Sequence, residues 1–252
     1  MLILDSRTRF TETAGLYRRY RPSYPSQVFD WIFQSANVPP GTQVVDLGCG
    51  TGIASRQMAA RGMDVLGIDP NEEMLAVARA DGSGVRYLRG EAADTRLPAS
   101  SIGLVVCGQS FHWFDTLATM SELRRILVPH GFCAAFWNVR ATGVPAMDEY
   151  EELLHSIGDY RSLPKPGDAI REIERSPQIT SLRAIEFPHS QCLDRDGFFG
   201  RVSSSSYVVH GLYRRAEFDR ALTELFERYA VDGEIELNYR TIVRMWQLRG
   251  RN

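Results

Sequence analysis

Between residues 25 and 36 the apolar side chains recur every three to four positions. Val28, Phe29, Ile32, Phe33 and Ala36 fall on one face of a helix. Pro25 suits the first turn, and Pro39, Pro40 and Gly41 are expected to end it. From residue 43 short unbroken apolar runs take turns with helical periods. QVVDL (43–47), DVLGI (64–68), VRYL (85–88), IGLVVC (102–107) and FCAAFW (132–137) read as strands. Helices are expected at Ile53–Ala60, at Asn71–Ala80, where Glu72 and Glu73 suit the positive end, and at Leu117–Leu127. Apolar strands without alternation, separated by helices, predict a parallel sheet covered on both faces.

The pattern changes after Trp137. Residues 141–180 look helical and loop-rich, LRAIEF (182–187) reads as a strand, and 194–230 are mostly helical. Ile235, Leu237, Tyr239, Thr241 and Val243 then alternate with Glu234, Glu236, Asn238 and Arg240, the mark of a half-exposed strand. The prediction is a doubly wound α/β fold with a mostly parallel seven-stranded sheet and an antiparallel strand near the C-terminus. Within one domain over 1–252, residues 1–40 form an entry segment and helix, and 41–140 a ligand-binding core. Residues 141–180 and 190–232 are lid insertions over the sheet's ligand-binding end, and 233–248 the C-terminal strand region. Residues 1–24 show no clear period but carry Tyr17, Tyr20, Tyr24 and several arginines.

Composition narrows the class. Of 252 residues, 44% are apolar and 24% charged, which argues against disorder, collagen and coiled coil. A net charge of −2 gives no general grip on nucleic acid or anionic membrane. No apolar run approaches the roughly 18–20 residues that span a bilayer, and MLILDSRTRFTET does not read as a signal peptide, so the cytosol is the expected compartment. Cys49, Cys107, Cys133 and Cys192 never fall at C-x-x-C spacing, which removes a zinc ribbon or redox motif; Cys107 and Cys133 read as inert core thiols. His155, His189 and His210 show no metal-ligand spacing, and no metal is expected.

The most informative stretch is VVDLGCGTG (44–52). A buried strand ends at Asp46–Leu47, and Gly48, Gly50 and Gly52 turn the chain into a helix. Glycine permits positive φ and the close backbone approach that a tightly held ligand needs. The next strand ends at Asp69, placed where an acid accepts hydrogen bonds from ribose hydroxyls in such a sheet. The alternatives are a purely structural turn and a capping box in which Asp69 caps the following helix, with Pro70 first and Glu72 third. The whole arrangement points to a nucleoside. Dinucleotide sites use G-x-G-x-x-G. Here the spacing is G-x-G-x-G with an acid two residues ahead, which suits a ligand bearing an ammonium and a sulfonium better than a pyrophosphate.

These residues resemble the class I S-adenosylmethionine-dependent methyltransferases, with a Rossmann-like fold. DLGCGTG (46–52), GIDP (67–70), GEAADTRLP (90–98), SIGLVVC with GQSFHWFD (101–115) and LVPHGF (127–132) carry the likeness. YRRYRPSYP (17–25) with QSFHWFD is similar to the small-molecule type 11 branch that includes trans-aconitate methyltransferase-like proteins. The resemblance implies that Asp46, Gly48, Cys49, Gly50, Thr51 and Gly52 line the methionine part of the cofactor. Asp69 would bind the ribose, Pro70 flank the adenosine, and Glu91 and Ala92 lie at the adenine edge. Gln109 would sit near the sulfonium or methionine carboxylate, and Arg21, with Tyr17 or Tyr20, would close over that carboxylate. The chain departs from the family at Glu91, where Asp is commoner, and at His130, where glycine or proline is common.

Methyl transfer from a sulfonium is an in-line displacement, so alignment and exclusion of water are the enzyme's main tasks. A base is needed only for a protonated acceptor. His112 is the candidate base; the alternative is that His112, Trp113 and Phe114 form a packed wall beneath the cofactor. Phe111, His112, Trp113, Arg201 and Tyr207 are candidate contacts to a small-molecule acceptor. Trp137, Tyr207 and Tyr213 belong either to that pocket or to the lid core. The competing functions are a nucleic-acid methyltransferase, for which the Asn/Asp-Pro-Pro-aromatic loop is replaced here by Gly-Gln-Ser-Phe, an NAD-linked dehydrogenase, and a non-catalytic S-adenosylmethionine-binding protein.

Overall fold

A computed structural model describes residues 11–157, 160–211 and 214–250. Tyr213, the first ten residues of the N-terminal stretch and the side chain of His210 lie outside the described residues. Seven strands form one sheet: β1 (Gln43–Leu47), β2 (Asp64–Asp69), β3 (Arg86–Arg89), β4 (Ile102–Gly108), β5 (Leu127–Arg140), β6 (Ile179–Asp194) and β7 (Glu234–Leu248). Their order is β3-β2-β1-β4-β5-β7-β6. The first five pair in parallel, and β7 runs antiparallel to both β5 and β6. The fold class predicted from the pattern is the one observed.

Side chains alternate across each strand, and both faces are covered, which is why the strands read as unbroken apolar runs. Val45, Val105, Cys107, Ala135 and Trp137 enter the core on one face. Val44, Leu104, Val106, Ala134 and Phe136 enter the core on the other, where they meet Val28, Phe29 and Ile32 of a helix spanning Ser26–Ala36. A third core lies among the helices that follow β5 and β6. Tyr150, Leu154, Phe198, Leu222 and Leu225 pack there with Ile235, Leu237 and Tyr239 at the start of β7.

In chain order the helices are α1 (Ala14–Tyr20), α2 (Ser26–Ala36), α3 (Ile53–Ala59), α4 (Glu72–Arg79), α5 (Thr116–Ile126), α6 (Pro145–His155), α7 (Pro166–Arg175), α8 (Arg195–Ser203), α9 (Ser206–Gly211) and α10 (Arg215–Tyr229). Helix α1 was not visible in the periodicity. It is seven residues long with only Ala14 buried, so no apolar stripe could form. Its Tyr20 ring instead lies where a side chain on Gly200 of α8 would be.

Several boundaries differ from the sequence reading. Helix α2 ends at Ala36 because Asn37 adopts a left-handed conformation (φ 52°) and closes the last turn, ahead of the two prolines. Pro25 is its N-cap rather than its first residue. Strand β5 begins at Leu127, before the expected FCAAFW. Its pairing with β4 slips between Ile102 and Leu104, where the partners jump from Leu127 to Phe132, and His130 takes φ 64° in the slipped segment. Strand β6 extends from the expected six residues to the whole of Ile179–Asp194. It is an edge strand with mostly accessible side chains, so hydrophobicity marks little of it, and its edge position tolerates Pro188. Among the described residues no helix is long and apolar enough to cross a membrane.

Candidate functional site

Strands β1, β2 and β4 deliver Leu47, Asp69 and Gly108 to one edge of the sheet. The loop after β1 carries the three glycines, all at positive φ: 72° at Gly48, 54° at Gly50 and 80° at Gly52. Gly48 also has no room for a side chain, since a Cβ there would lie 2.5 Å from Ser110 Cβ. Ser110, just after β4, donates to the Leu47 carbonyl at 2.7 Å and ties the two loops together. Gln109 between them holds φ 57°, a sparsely populated conformation for a residue with a side chain, and its amide donates to the Phe136 carbonyl.

Asp69 does not cap α4. That role falls to Asn71, whose side chain accepts from the Met74 amide at 3.0 Å, and the helix begins at Glu72. Asp69 instead accepts the Gly50 amide on Oδ2 at 2.8 Å and the Asn71 amide on Oδ1 at 2.9 Å. Each oxygen keeps a further lone pair, and the residue borders a cavity. Burial pushes the Asp69 pKa up, against the two amides.

Asp46 is almost fully buried. Ser55 donates to its Oδ2, while Oδ1 is buried without a partner. Burial pushes its pKa up to about 7, and the Ser55 hydrogen bonds only partly oppose this. An orphaned carboxylate oxygen beside a cavity is a place for a cation.

That cavity, of about 380 Å³, lies along the carboxyl edge of the sheet. Of the residues expected to hold a cofactor, Asp46, Gly48, Cys49, Gly50, Asp69, Pro70, Glu91, Ala92 and Gln109 line it. Thr51 and Gly52 do not: Thr51 is buried beside them, and Gly52 faces the Tyr87 ring. Tyr20 lines neither this cavity nor the one beside it and packs on Gly200. Arg21 lines a second cavity. The sequence reading did not single out Asn71, Met74, Ser110 or Thr119, which also line the first cavity. Their signal was weak because each is an ordinary helix or loop residue until the strand ends bring them together. The donor set fits S-adenosylmethionine: the orphaned carboxylate oxygen of Asp46, the two acceptor oxygens of Asp69, and a glycine-rich loop whose backbone comes close to the cavity all border the same space.

The second cavity, of about 520 Å³, lies between the end of β5, the segment 160–171 and the junction of α8 and α9. His112, Trp113, Arg201 and Tyr207 line it, as expected of acceptor contacts. Phe111 does not. It is fully buried and packs edge-on against Trp246, 5.5 Å between ring centres. Trp137 is also core, and its indole Nε1 donates to His112 Nδ1 at 3.1 Å. The His112 proton therefore resides on the other nitrogen. Protein packing around the ring pushes its pKa down to about 3 although one side borders the cavity. The remaining residues of the segment are accounted for: Phe114 lines the first cavity, and Asp115 caps α5 by accepting the Ala118 amide. Tyr17, Gln109 and Trp113 line both cavities, which are therefore neighbours.

Arg21 reaches the second cavity from just beyond α1. Its guanidinium lies over the Tyr17 ring, 4.7 Å from the centroid, and donates to the Ser204 carbonyl at 3.2 Å and Ser205 Oγ at 3.3 Å. Arg201, 4% exposed, donates to the same Ser205 oxygen at 3.3 Å. Burial lowers the Arg21 pKa, and the like charge of Arg201 lowers it further.

Residues 45–135 match the model of a methyltransferase domain family. An uncharacterised methyltransferase of Mycobacterium tuberculosis is 31% identical over 206 residues, 81% of this chain and 79% of its own. The ubiquinone biosynthesis O-methyltransferase of Aliivibrio fischeri is 24% identical over 82% of this chain and 92% of its own. Among solved structures, a candidate type II methyltransferase of Anaeromyxobacter dehalogenans superposes with a TM-score of 0.62 at 25% identity, covering 90% of this chain and 97% of that one.

Proposed function

The chain belongs to the class I S-adenosylmethionine-dependent methyltransferases, and on that footing we propose that it methylates an oxygen, in a carboxylate or hydroxyl group, of a small molecule in the cytosol. The observation that carries this reading is the pair of adjoining cavities with Tyr17, Gln109 and Trp113 as their common wall. Their volumes lie in the range of small-molecule sites. The bound cofactor supplies a methyl group on a sulfonium, already activated for transfer.

In this proposal Asp46 receives the cofactor's ammonium on its orphaned Oδ1, and the Gly48–Gly50 backbone lies along the methionine portion. Asp69 accepts the ribose hydroxyls, and Pro70, Glu91 and Ala92 border the adenosine. Gln109 and Trp113 set the boundary across which the acceptor oxygen faces the methyl group. Residues 141–180 and 190–232 act as the lid that excludes water from it.

We assign His112 to the wall rather than to proton removal. Its Nδ1 lone pair is taken up by Trp137, and its low pKa makes it a poor proton acceptor at neutral pH. A carboxylate acceptor needs no base. The second cavity's small-molecule size, with the net charge of −2, favours a small acceptor over nucleic acid. Isolated protein should bind S-adenosylhomocysteine in a calorimeter and transfer radiolabelled methyl from S-adenosylmethionine to members of a panel of small organic acids and phenols. Cofactor binding with no transfer to any acceptor in a single-turnover test would instead favour the non-catalytic reading.

A further inference from the structure

Five cationic side chains line the second cavity, Arg21, Arg140, Lys165, Arg171 and Arg201, against three carboxylates, Asp148, Glu151 and Asp168. Arg140 is paired with Glu151 at 2.6 Å, and Arg171 with Asp168. Arg21 and Arg201 have no carboxylate partner among the described residues, and the Nε of each is buried without a hydrogen bond. The two share one neutral acceptor, the Ser205 hydroxyl. A hydroxyl oxygen between two guanidinium groups satisfies one N–H of each and leaves their mutual repulsion standing. Buried charges of this kind are costly unless something pairs them.

A nearby phenol reports the same field. Tyr207 is half-buried; its removal from water raises its pKa, yet Arg140, Arg201 and Arg21 outweigh this and hold it below the ordinary tyrosine value. The cavity lining also includes the apolar side chains of Val139, Ile170 and Ile242.

Resting on the methyltransferase reading above, we propose that Arg21 and Arg201 form an oxyanion site for the methyl acceptor. The acceptor then carries an anionic group, carboxylate or phosphate, separate from the atom methylated, on a largely apolar body. The guanidinium pair fixes the anionic end, and the opposite end reaches the boundary at Gln109 and Trp113. In the transfer step a lone pair on the acceptor oxygen forms the new C–O bond as the methyl–sulfur bond breaks, and the sulfur leaves neutral with that electron pair. A second carboxylate at the reacting end needs no base; a hydroxyl there loses its proton to bulk water before the lid closes and reacts as the oxyanion.

The test is binding, measured by calorimetry on the full chain saturated with S-adenosylhomocysteine. Benzoate and phenylphosphonate represent the two oxyanions, and benzamide is the neutral counterpart. At least one anion should bind at least tenfold more tightly than benzamide, and which one identifies the oxyanion. Arg201→Gln should erase that preference, and Arg201→Lys should retain part of it. Arg21→Gln provides an independent check, should Arg201→Gln fail to fold. Equal binding of anions and amide, no binding of either anion, or an anion preference unchanged in both Gln variants overturns the proposal. So does an Arg21→Gln variant that loses S-adenosylhomocysteine affinity tenfold while keeping its anion preference, because Arg21 would then serve the cofactor carboxylate. Failure of S-adenosylhomocysteine to bind the unmodified protein would instead remove the broader cofactor reading.

Discussion

The Gly50 amide donates a 2.8 Å hydrogen bond to Oδ2 of Asp69, so the glycine loop after β1 and the acid at the end of β2 form one unit. Asp69 lies nineteen positions after Gly50, and a parallel register that sets Leu47 beside Ile68 brings them together. The carboxylate both positions the loop and faces the cavity that the loop borders.

Asp69→Ala should therefore weaken S-adenosylhomocysteine binding by roughly 1.5–3 kcal/mol, about ten- to a hundredfold. The loss should exceed that of Asp69→Asn, which keeps one acceptor oxygen. Calorimetry measures both. Unchanged affinity in the alanine variant would leave Asp69 with only its role in holding Gly50 and Asn71.

Cofactor affinity should depend on pH through Asp46. In the free protein its pKa stands at about 7, so it is largely protonated below that value. An ammonium at Oδ1 favours the carboxylate form. Affinity should fall as pH drops below about 7, by up to about tenfold per pH unit, and binding at pH 6 should release a proton. Titrations in buffers of different ionisation enthalpy detect the proton, and Asp46→Asn should abolish both effects.

His112→Gln should lower kcat by no more than a few-fold, and the rate should show no step attributable to this residue between pH 6 and 8. Its pKa of about 3 places its titration far below that window. A hundredfold loss together with a vanished step near neutrality would restore the base. Trp137→Phe removes the donor to Nδ1 and should raise the His112 pKa, visible by NMR.

Glu122 should support stability in a pH-dependent way. It accepts from Arg125 at 2.7 Å and from the Thr95 amide at 2.9 Å, and chiefly the Arg125 hydrogen bonds hold its pKa at about 2. The folded pKa lies below the unfolded one. The stabilisation is thus complete above the ordinary carboxylate pKa and is lost as pH falls from about 4.5 toward about 2. Glu122→Gln should cost about 2 kcal/mol at pH 7, allowing for the partly exposed Arg125, and much less at pH 2.5. Urea unfolding at the two pH values measures this.

Much of the sheet was legible because both of its faces are buried, and unbroken runs such as IGLVVC leave few other structures. The first cavity was partly legible for a related reason. A strand end followed by Gly48, Gly50 and Gly52 requires positive φ, and the carboxyl edge of the sheet fixes where Asp69 arrives. The misplaced residues fail on geometry that spacing does not carry. Phe111 and Trp113 are two positions apart in a short helical turn, so one faces Trp246 and the core while the other divides the cavities. Tyr20 and Arg21 are neighbours, yet the end of α1 sends one onto Gly200 and the other toward Ser205. The second cavity was least legible, because its charge balance depends on which acids reach which arginines across three separate segments.

A crystal structure with S-adenosylhomocysteine at saturation tests the central assignment most directly. The account predicts density in the first cavity, with the amino group at Asp46 Oδ1, the ribose hydroxyls on Asp69, and the sulfur facing the boundary at Gln109 and Trp113. A ligand bound elsewhere, or an empty first cavity at saturating concentration, would contradict it.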